Sequence, residues 1–434
     1  MAKKYDWPVL QIALDDMLLS RSLEMAREAV DGGVDWIEAG TPLLKSEGME
    51  AVRALRREFP DHVIVADMKT MDTGGYEVEM AAKAGADIVC VLGVADDDTI
   101  SEAVRSALNY GCDVLVDMLG VADVLARSKK VEELGASYVG IHVGIDQQMQ
   151  GRNPVDMVEG VSCELSIPVS AAGGINSSSA PLVVKAGASI VVVGGALTKA
   201  EDISQSARTL KNAMETGVPI SGIGEKHGSD NLRNVLLQVS TCNLSDAMHR
   251  MGAMENIVPV YEGIEKMVGR AVTVETLDGD WAKPVEAIDN AGPENVIVVS
   301  ALPGRKAVWG ELATNSCLER GVQGVVVDGA VRDVESIAGL GLPVFSSRVC
   351  PNAGDPKGCG SIGGVVECGG QRVRPGDWVV GDSSGVVVIP QERAVEIANR
   401  ALDILEKENR IRKEIGQGRT LSSVLELLKW EKIG

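Results

Sequence analysis

Three ionisable residues stand close together where a short apolar run ends. The run Val63-Ile64-Val65-Ala66 predicts a buried strand, and Asp67, Lys69 and Asp72 follow it. Alternate side chains of a strand point to the same side, so Asp67 and Lys69 are predicted to share a face, with Asp72 on the turn beyond. Two carboxylates and an ammonium could hold a divalent cation, place a proton donor beside it and bind a hydroxylated substrate. A solvated strand end with ordinary ion pairs is the alternative.

The elements that must position these residues alternate along the first half of the chain. Short runs rich in β-branched residues are separated by stretches with helical apolar spacing, such as Ser20–Gly32 and Asp98–Tyr110. The predicted strands are Val9–Asp15, Trp36–Gly40, Val63–Lys69, Ile88–Val94, Asp113–Leu119, Tyr138–Gly144, Pro168–Gly174 and Ile190–Leu197. Eight such β/α units in about 200 residues predict a (β/α)₈ TIM barrel, with a doubly wound open sheet as the alternative.

In a barrel of this kind the carboxyl ends of the strands carry the chemistry. The predicted ends hold a set of ionisable residues, namely Asp15, Glu38, Asp67, Lys69, Asp117 and His142. Alone, His142 could be a hydrogen-bonded interior histidine and Asp15 a helix N-cap, but together the residues predict a metal-assisted site. The last two strand ends carry glycine pairs whose backbone N–H groups are predicted to bind a phosphate: Gly173, Gly174, Gly194 and Gly195.

Composition limits the class of protein. The 434 residues suffice for two or three domains, and the 45% hydrophobic but 3% aromatic content predicts aliphatic cores. A net charge of -20 without a basic tract argues against nucleic acid as a partner. The eight cysteines form no C-x-x-C pair, and the start shows no apolar signal core. We therefore expect a cytoplasmic protein with reduced cysteines and no membrane partner.

Several stretches around the rim residues carry a family resemblance. They are Leu10–Asp15, Glu38–Gly48, Ala66–Asp72, Val91–Asp96 and His142–Gln148. They resemble 3-hexulose-6-phosphate synthase, a family of the orotidine-monophosphate decarboxylase superfamily of barrels, and the resemblance spans residues 5 to about 212. It implies a Mg²⁺-dependent (or Mn²⁺-dependent) aldehyde-lyase that joins formaldehyde to ribulose 5-phosphate, reversibly, through an enediolate. The related 3-keto-gulonate-6-phosphate decarboxylase is the alternative.

The same resemblance implies roles for the rim residues. Glu38 and Asp67 would be the metal ligands, and Asp15 would bind substrate hydroxyl groups. Lys69 would stabilise charge or carry a proton, and His142 would be the general base, although these two roles could be exchanged.

The second half of the chain predicts a separate mixed α/β domain. Residues 216–231 are rich in glycine and predict a linker, so that the domains would be 1–215, 232–390 and a tail at 391–434. Val239–Met248 predicts the passage from a strand into a helix. Further strands are predicted at Gly269–Thr276, Asn295–Ser300, Gly324–Asp328, Leu342–Ser346, Ser361–Glu367, Trp378–Gly381 and Gly385–Ile389, and helices at Val285–Ala291, Gly310–Arg320 and Asp333–Leu340.

A second candidate site lies in this domain. The turn at Gly310 opens a helix whose free N–H groups could bind a carboxylate. Arg332 offers a planar fork for a second carboxylate, and Asp333 offers a hard oxygen for a metal. A helix entry with Asp333 as the N-cap is the alternative.

These residues, with Gly279-Asp280-Trp281 and Gly381–Gly385, carry a second resemblance. They resemble the family of regulator of ribonuclease activity A and the class II 4-hydroxy-4-methyl-2-oxoglutarate aldolases, with a swivelling β/β/α fold. The resemblance implies that amides near Gly310, Glu311 and Leu312 bind a 2-oxo acid carboxylate, that Arg332 holds the substrate and that Asp333 supports a metal, giving pyruvate aldolase or oxaloacetate decarboxylase activity. Glu335 stands one place earlier than the family's trailing acid. A non-catalytic binding role, as in the regulator branch, is the alternative.

The tail and the two resemblances also predict assembly. Residues 391–434 predict an amphipathic helix followed by a short helix at Leu421–Trp430, packed on the parent domain or on a neighbouring subunit. The barrel family implies dimers in which Asp72 reaches the neighbouring subunit's site, and the second family implies trimers. We therefore expect a homo-oligomer that is a closed hexamer or a larger assembly.

Overall fold

The computed structural model describes residues 7–222, 224–301 and 305–425. The chain divides into two compact units, Met1–Lys226 with Glu406–Gly434, and His227–Leu405. The predicted boundaries at residues 215, 231 and 390 stay a prediction, but the structure differs from them at the end of the chain. Residues 406–425 belong to the first unit, whereas the sequence predicted a tail packed on its parent domain or on a neighbouring subunit.

The first unit is a closed parallel barrel, so the TIM-barrel prediction is confirmed and the open sheet is wrong. Within the described residues eight strands pair in chain order, and the first pairs with the eighth. The strands are β1 (Val9–Leu14), β2 (Trp36–Ala39), β3 (Val63–Thr70), β4 (Ile88–Leu92), β5 (Asp113–Asp117), β6 (Tyr138–His142), β7 (Val169–Ala172) and β8 (Ile190–Val193). Each predicted strand appears, with ends shifted by up to four residues.

Helices surround the barrel because their apolar residues recur at helical spacing. Helix α1, for example, buries Met25, Ala26 and Ala29 against the outside of the strands. The helices are α1 (Leu19–Asp31), α2 (Thr41–Glu47), α3 (Glu50–Glu58), α4 (Gly74–Ala84), α5 (Asp97–Tyr110), α6 (Val124–Glu133), α7 (Ile145–Met149), α8 (Val155–Ser162), α9 (Ala180–Lys185), α10 (Gly195–Thr198) and α11 (Ile203–Thr216). Apolar side chains such as Trp36 and Tyr138 fill the lower interior, so the polar groups gather at the carboxyl end.

The second unit has a mixed sheet at its centre. Its strands are β9 (Val258–Pro259), β10 (Met267–Glu275), β11 (Asn295–Ser300), β12 (Ala307–Trp309), β13 (Gly324–Val331), β14 (Val344–Val349), β15 (Ser361–Ile362), β16 (Val366–Cys368), β17 (Gln371–Val373), β18 (Trp378–Asp382) and β19 (Gly385–Ile389). The sheet order is β19-β18-β10-β11-β13-β14-β9, with β10, β11, β13 and β14 parallel. The strand predicted at Ser361–Glu367 is instead two short strands, separated by Gly363 and Gly364.

The entry into this unit is helical, so the strand predicted from Val239 is wrong. Helix α12 (Leu232–Gln238) precedes α13 (Thr241–Ala247), and Leu232, Val235 and Leu236 are buried on one helical face. Ser240 caps α13 through its side chain, which stops the first helix and starts the second. The remaining helices are α14 (Ala282–Glu286), α15 (Glu311–Glu319) and α16 (Val334–Leu340).

The chain continues into α17 (Ala394–Gly416) and α18, which is described at Leu421–Leu425. The rest of the helix predicted at Leu421–Trp430 lies outside the described residues. Among the described residues, none of the helices combines the length and the apolar character that crossing a membrane requires.

Candidate active site at the barrel rim

The predicted side chains of β3 meet, although the backbone between them is not a regular strand. Lys69 Nζ lies 2.9 and 3.0 Å from the two carboxylate oxygens of Asp67. The pairing of β3 with β4 shifts register between Ala66 and Thr70, and Lys69 has φ of +49°, in the left-handed region. Non-glycine residues held there are concentrated at functional sites because the conformation is strained. The strain therefore aims the ammonium into the barrel mouth.

Asp67 is the centre of a buried hydrogen-bond network. The Thr41 hydroxyl, at the start of α2, lies 2.6 Å from Asp67 Oδ2. Lys69 Nζ also reaches Asp117 Oδ2 at 3.4 Å. Burial alone would lower the pKa of Lys69, but Asp67 and Asp117 raise it above its ordinary value. Lys69 is therefore held as a cation between two carboxylates.

Glu38 is a buried carboxylate surrounded by like charge. It is 8% exposed, and the Gln11 amide donates a hydrogen bond to it from the neighbouring strand. Burial and then repulsion from Asp67 and Asp15 raise the pKa of Glu38 well above its ordinary value. The side-chain oxygen Oε1 of Gln11 is buried and has no hydrogen-bond partner among the described residues. The region is thus short of positive charge and of hydrogen-bond donors.

Asp15 connects the carboxylate cluster with the glycine turns. A Cβ on Gly40 would overlap its Oδ1, and a Cβ on Gly194 would lie 3.5 Å from its Oδ2. Desolvation of the carboxylate by the surrounding protein atoms, and then repulsion from Asp67, raise the pKa of Asp15. Its side chain makes none of the N-cap hydrogen bonds to α1, whose start has no side-chain cap, so the helix-cap alternative is wrong.

His142 and Asp117 form a pair that the sequence did not reveal. Nδ1 of His142 lies 2.8 Å from Oδ2 of Asp117, on the adjacent strand. Burial would raise the pKa of Asp117, but the hydrogen bond from His142 and the charge of Lys69 lower it below its ordinary value. An ionised Asp117 accepts a hydrogen bond from Nδ1–H of His142, which leaves Nε2 of the neutral imidazole as a proton acceptor. Asp117 was predicted at the rim without a role, and its pairing with His142 supplies one.

The chemistry of the cluster fits a hard divalent cation. Asp15, Glu38, Asp67 and Asp117 outnumber the cationic groups facing them, and the raised pKa values of Glu38 and Asp15 express that imbalance. Among the described residues, no three His, Cys, Asp or Glu side chains are already spaced as a multi-ligand site. Mg²⁺ requires only one or two carboxylates when substrate and water complete its coordination. Glu38 and Asp67 would be those ligands.

The two glycine pairs lie at adjacent strand ends. Gly173 and Gly174 have φ of +106° and +69°, and a Cβ on Gly173 would overlap the carbonyl of Val143. Gly194 is the N-cap of the short helix α10 and Gly195 is its first residue, so their N–H groups have no partner within that helix. Lys199 was missed by the sequence reasoning, yet its Nζ lies 3.2 Å from the place of a Cβ on Gly195. This part of the rim thus combines backbone amides with a cation, which suits a phosphate.

Asp72 is exposed on the turn beyond β3, and its Oδ1 accepts a hydrogen bond from the Thr73 amide at 2.7 Å. An exposed carboxylate at this place is available to a neighbouring subunit. Its role in a dimer, like the predicted homo-oligomer itself, stays a prediction.

In the second unit, Gly310, Arg332 and Asp333 do come together. Oδ2 of Asp333 accepts a hydrogen bond from the Glu311 amide at 3.3 Å and lies 3.3 Å from Nε of Arg332. A Cβ on Gly310 would lie 2.6 Å from the same oxygen. Asp333 occupies the N-cap position of α16, as the helix-entry alternative predicted, with φ of +61°, but its side chain makes no capping hydrogen bond to that helix. It binds the start of α15 instead.

The other predicted residues of this site are open to solvent. Leu312 is 77% exposed, Glu311 is half-buried and Glu335 is exposed on the first turn of α16. The side chains of Arg332 and Asp333 are 45% and 40% exposed. This cluster is therefore an open surface site, unlike the buried network of the barrel.

Asp280, in the Gly279-Asp280-Trp281 stretch, has a structural role. Its carboxylate accepts hydrogen bonds from the amides of Ala282, Lys357, Gly358 and Cys359. Burial opposes ionisation, but these backbone N–H groups lower the pKa of Asp280 to about 2. It fixes the loop 355–359 against the end of β10.

Comparisons with known proteins agree with this geometry. The model of the Orotidine 5'-phosphate decarboxylase / HUMPS family matches residues 8–210, and the RraA-like model, Aldolase/RraA, matches residues 241–388. The chain is 40% identical over 205 residues to 3-hexulose-6-phosphate synthase of Mycobacterium gastri, covering 47% of this chain and 99% of that protein.

Two solved structures are also similar. The 3-hexulose-6-phosphate synthase from Salmonella typhimurium is 38% identical, with a TM-score of 0.46 and coverage of 48% of this chain and 99% of that one. The 3-keto-L-gulonate-6-phosphate decarboxylase from Vibrio cholerae is 31% identical, with a TM-score of 0.45 and coverage of 49% and 100%.

Proposed function

The chain belongs, through its first half, to the Orotidine 5'-phosphate decarboxylase / HUMPS family and carries an RraA-like domain in its second half, and from this premise we propose that its barrel interconverts 3-hexulose 6-phosphate with ribulose 5-phosphate and formaldehyde. The observation that supports this most is the cluster of Glu38, Asp67, Lys69 and the His142–Asp117 pair at one rim. An aldol reaction of this kind needs a base, a stabiliser of negative oxygen and a phosphate site, and each has a candidate.

Proton removal falls to His142. Nε2, free to accept, takes a proton from the carbon next to the ketone of ribulose 5-phosphate, which leaves an enediolate. Asp117 stabilises the imidazolium that results, because its carboxylate stays ionised beside Nδ1. Lys69 is a poor base because its pKa is raised, so we assign the base to His142 and not to Lys69.

The negative charge of the enediolate is stabilised by Lys69 and by the metal that Glu38 and Asp67 would hold. Glu38 and Asp67 would hold Mg²⁺ (or Mn²⁺), which would supply Lewis-acid stabilisation of the negative oxygens. Lys69 donates hydrogen bonds to the same developing charge, and Asp15 orients the substrate hydroxyl groups.

Bond formation completes the reaction. The enediolate carbon attacks the carbon of formaldehyde, and a new carbon–carbon bond forms as the aldehyde π bond opens. The oxygen of the new hydroxymethyl group takes the proton held on His142. The reverse steps release formaldehyde.

The phosphate is held at the other side of the mouth. The amides around Gly173, Gly174, Gly194 and Gly195 and the ammonium of Lys199 neutralise it. Asp15 lies beside Gly194, so the sugar spans the distance from the glycine turns to the carboxylates. The synthase is preferred because the 3-hexulose-6-phosphate synthase of Mycobacterium gastri is 40% identical to this chain over 205 residues, and the decarboxylase is the alternative.

For the second unit we propose a 2-oxo acid site at the start of α15. Asp333 organises the Glu311 amide and lies beside Arg332, which can form a bidentate pair with a carboxylate. We propose pyruvate aldolase or oxaloacetate decarboxylase chemistry at this site, in keeping with the Aldolase/RraA match of the domain. A binding role without catalysis is the alternative.

The test of the barrel proposal is a substrate comparison on the full chain. We expect formaldehyde release from 3-hexulose 6-phosphate, the reverse condensation with ribulose 5-phosphate, and loss of both on treatment with a chelator. Release of carbon dioxide from 3-keto-gulonate 6-phosphate without formaldehyde turnover would instead support the decarboxylase. His142→Gln should remove turnover and leave the unfolding temperature unchanged within about 2 °C, because the residue is half-exposed.

A further inference from the structure

The segment from Glu406 to Leu425, here called the tail, is part of the barrel unit although it follows the second unit in the chain. It comprises the second half of α17 and the described part of α18. The similarity to the M. gastri synthase extends over 205 residues of this chain and covers 99% of that synthase. The tail therefore lies outside the part of the chain that this relative shares.

One set of tail contacts holds the loop after α10. Arg410, whose side chain is 8% exposed, donates to the carbonyls of Ala200 at 3.2 Å and Glu201 at 3.1 Å. It also pairs with Glu28 of α1 at 2.6 Å. Lys413 donates to the same Glu201 carbonyl. These two carbonyls directly follow the turn that carries Gly194, Gly195 and Lys199.

A second set holds the loop after β1. Arg21 donates to Glu414 at 3.0 and 3.2 Å and to the carbonyl of Val424 at 3.2 Å. Its Nε also lies 3.3 Å from the carboxylate of Asp16, the residue next to Asp15. Arg21 thus links the tail to the loop that carries the proposed hydroxyl ligand.

A third contact supports the start of α10 from outside. Glu406 Oε1 accepts a hydrogen bond from the Gly224 amide at 2.8 Å. Gly224 packs so closely on Ala196 that a Cβ on Gly224 would lie 2.9 Å from the Ala196 methyl group. Ala196 belongs to the same turn as Gly195.

These contacts are of the kind that fixes geometry. Arg410 and Glu414 are nearly excluded from water and lie 3.0 Å apart, so displacing either would leave a buried charge without its partner. A guanidinium also presents several donors in one rigid plane, which sets the positions of the carbonyls it binds. Loops at a barrel mouth otherwise vary in position, and errors of about 1 Å there reduce catalysis strongly.

We propose that the tail is a positioning element of the barrel's sugar-phosphate site, acting through Arg410 on the turn at Gly194–Gly195 and through Arg21 on the loop of Asp15. Substrate binding at the rim depends on a segment that follows the RraA-like domain in the chain. The inference about substrate rests on the proposed function, whereas the inference about the loops does not.

The test compares Arg410→Met with Arg419→Met in the full chain. Arg419 also pairs the tail with α1, through Glu24 at 2.8 Å, and lies 3.6 Å from Glu414 within the tail. Its side chain is 44% exposed, and among the described residues it makes no hydrogen bond or ion pair to residues 195–203 or to the loop of Asp15. For Arg410→Met we expect faster amide hydrogen exchange at residues 195–203 and a KM for the sugar phosphate about tenfold higher, with kcat within about twofold. Arg419→Met should change neither quantity, and Arg410→Lys should lie between Arg410→Met and the wild type.

Lys413→Met keeps the test decisive if Arg410→Met does not fold, because Lys413 is half-buried and not fully enclosed, and its ammonium donates to the Glu201 carbonyl. It should show the same exchange pattern at smaller size. Unchanged exchange at 195–203 in the folded variants would overturn the proposal, as would equal effects of Arg410→Met and Arg419→Met. A wild type without formaldehyde turnover would refute the proposed function, while the exchange measurement would still decide the role of the tail.

Discussion

The barrel rim and the Asp280 corner of the second unit hold their buried carboxylates in opposite ways. At the rim, Glu38 lies near Asp67 and Asp15, and its pKa is raised well above the ordinary value. Asp280 accepts several backbone N–H groups, and its pKa falls to about 2. The surroundings of Glu38 disfavour its ionised form, whereas the surroundings of Asp280 favour it.

We propose that the difference separates a carboxylate used for chemistry, Glu38, from one used for structure, Asp280. A buried charge without compensation destabilises the fold, and a protein retains it where a ligand supplies the missing charge. Asp280 needs no ligand because the loop 355–359 already solvates it. The Asp333 site forms a third case, since it is half-exposed and its charge is screened by water.

The largest expected effect is that a substitution in either proposed site removes the activity of that site and leaves the other activity unchanged. Asp67→Asn keeps the shape of the side chain but removes the charge, so formaldehyde release should fall about a thousandfold or more. Asp333→Asn should leave that activity unchanged and should abolish any turnover of oxaloacetate. Steady-state assays of both variants on both substrates measure this. Loss of formaldehyde release in Asp333→Asn would show that the two regions are not independent in function.

A smaller effect is expected on folding at the Asp280 corner. Asp280→Asn replaces the charged acceptor of several backbone amides with a neutral one. The free energy of unfolding should therefore fall by about 2 kcal/mol. Because the folded-state pKa lies below the ordinary 3.8, the contribution of Asp280 is present above that pH and is lost as the pH falls from 3.8 towards 2.

Denaturant unfolding between pH 2 and 7 measures this loss, and the gap between wild type and variant should close at the acid end. Glu392→Gln is the control, because Glu392 is exposed and pairs only with exposed Arg374 in the same unit. A pH-independent gap would mean that Asp280 acts by packing and not by its charge.

The sequence was sufficient for the barrel and for much of its rim. Alternating β and α patterns repeat at short range, so the strand order and the residues at strand ends could be predicted together. Asp67, Lys69 and His142 do lie at one mouth. The pairing of Asp117 with His142 could not be predicted, because it depends on the register of two neighbouring strands, 25 residues apart in sequence.

Other features depend on long-range contacts. Strand alternation correctly predicts that Asp67 and Lys69 lie on the same face. In the structure, however, β3 shifts its register against β4, and Lys69 has a left-handed backbone, which a regular strand does not have. Arg410 and Glu28 are 382 residues apart, and neither residue type nor spacing indicates that they meet. In the second unit the sequence did not predict α12, because seven residues give too short a periodic pattern, and its buried residues are held by a core that includes Val268 and Trp378.

The central claim, that the barrel holds uncompensated carboxylates for a dication, is tested by unfolding wild type and Glu38→Gln with and without Mg²⁺. Because the pKa of Glu38 is raised in the folded state, stability is lost as the pH rises through that pKa, and glutamine removes this loss. Without the metal, Glu38→Gln should be more stable than wild type by on the order of 1–2 kcal/mol. With Mg²⁺ at about a hundred times its Kd, wild type should gain about 2.7 kcal/mol and the variant much less. Equal gains in both proteins, or a destabilised variant without metal, would contradict the account.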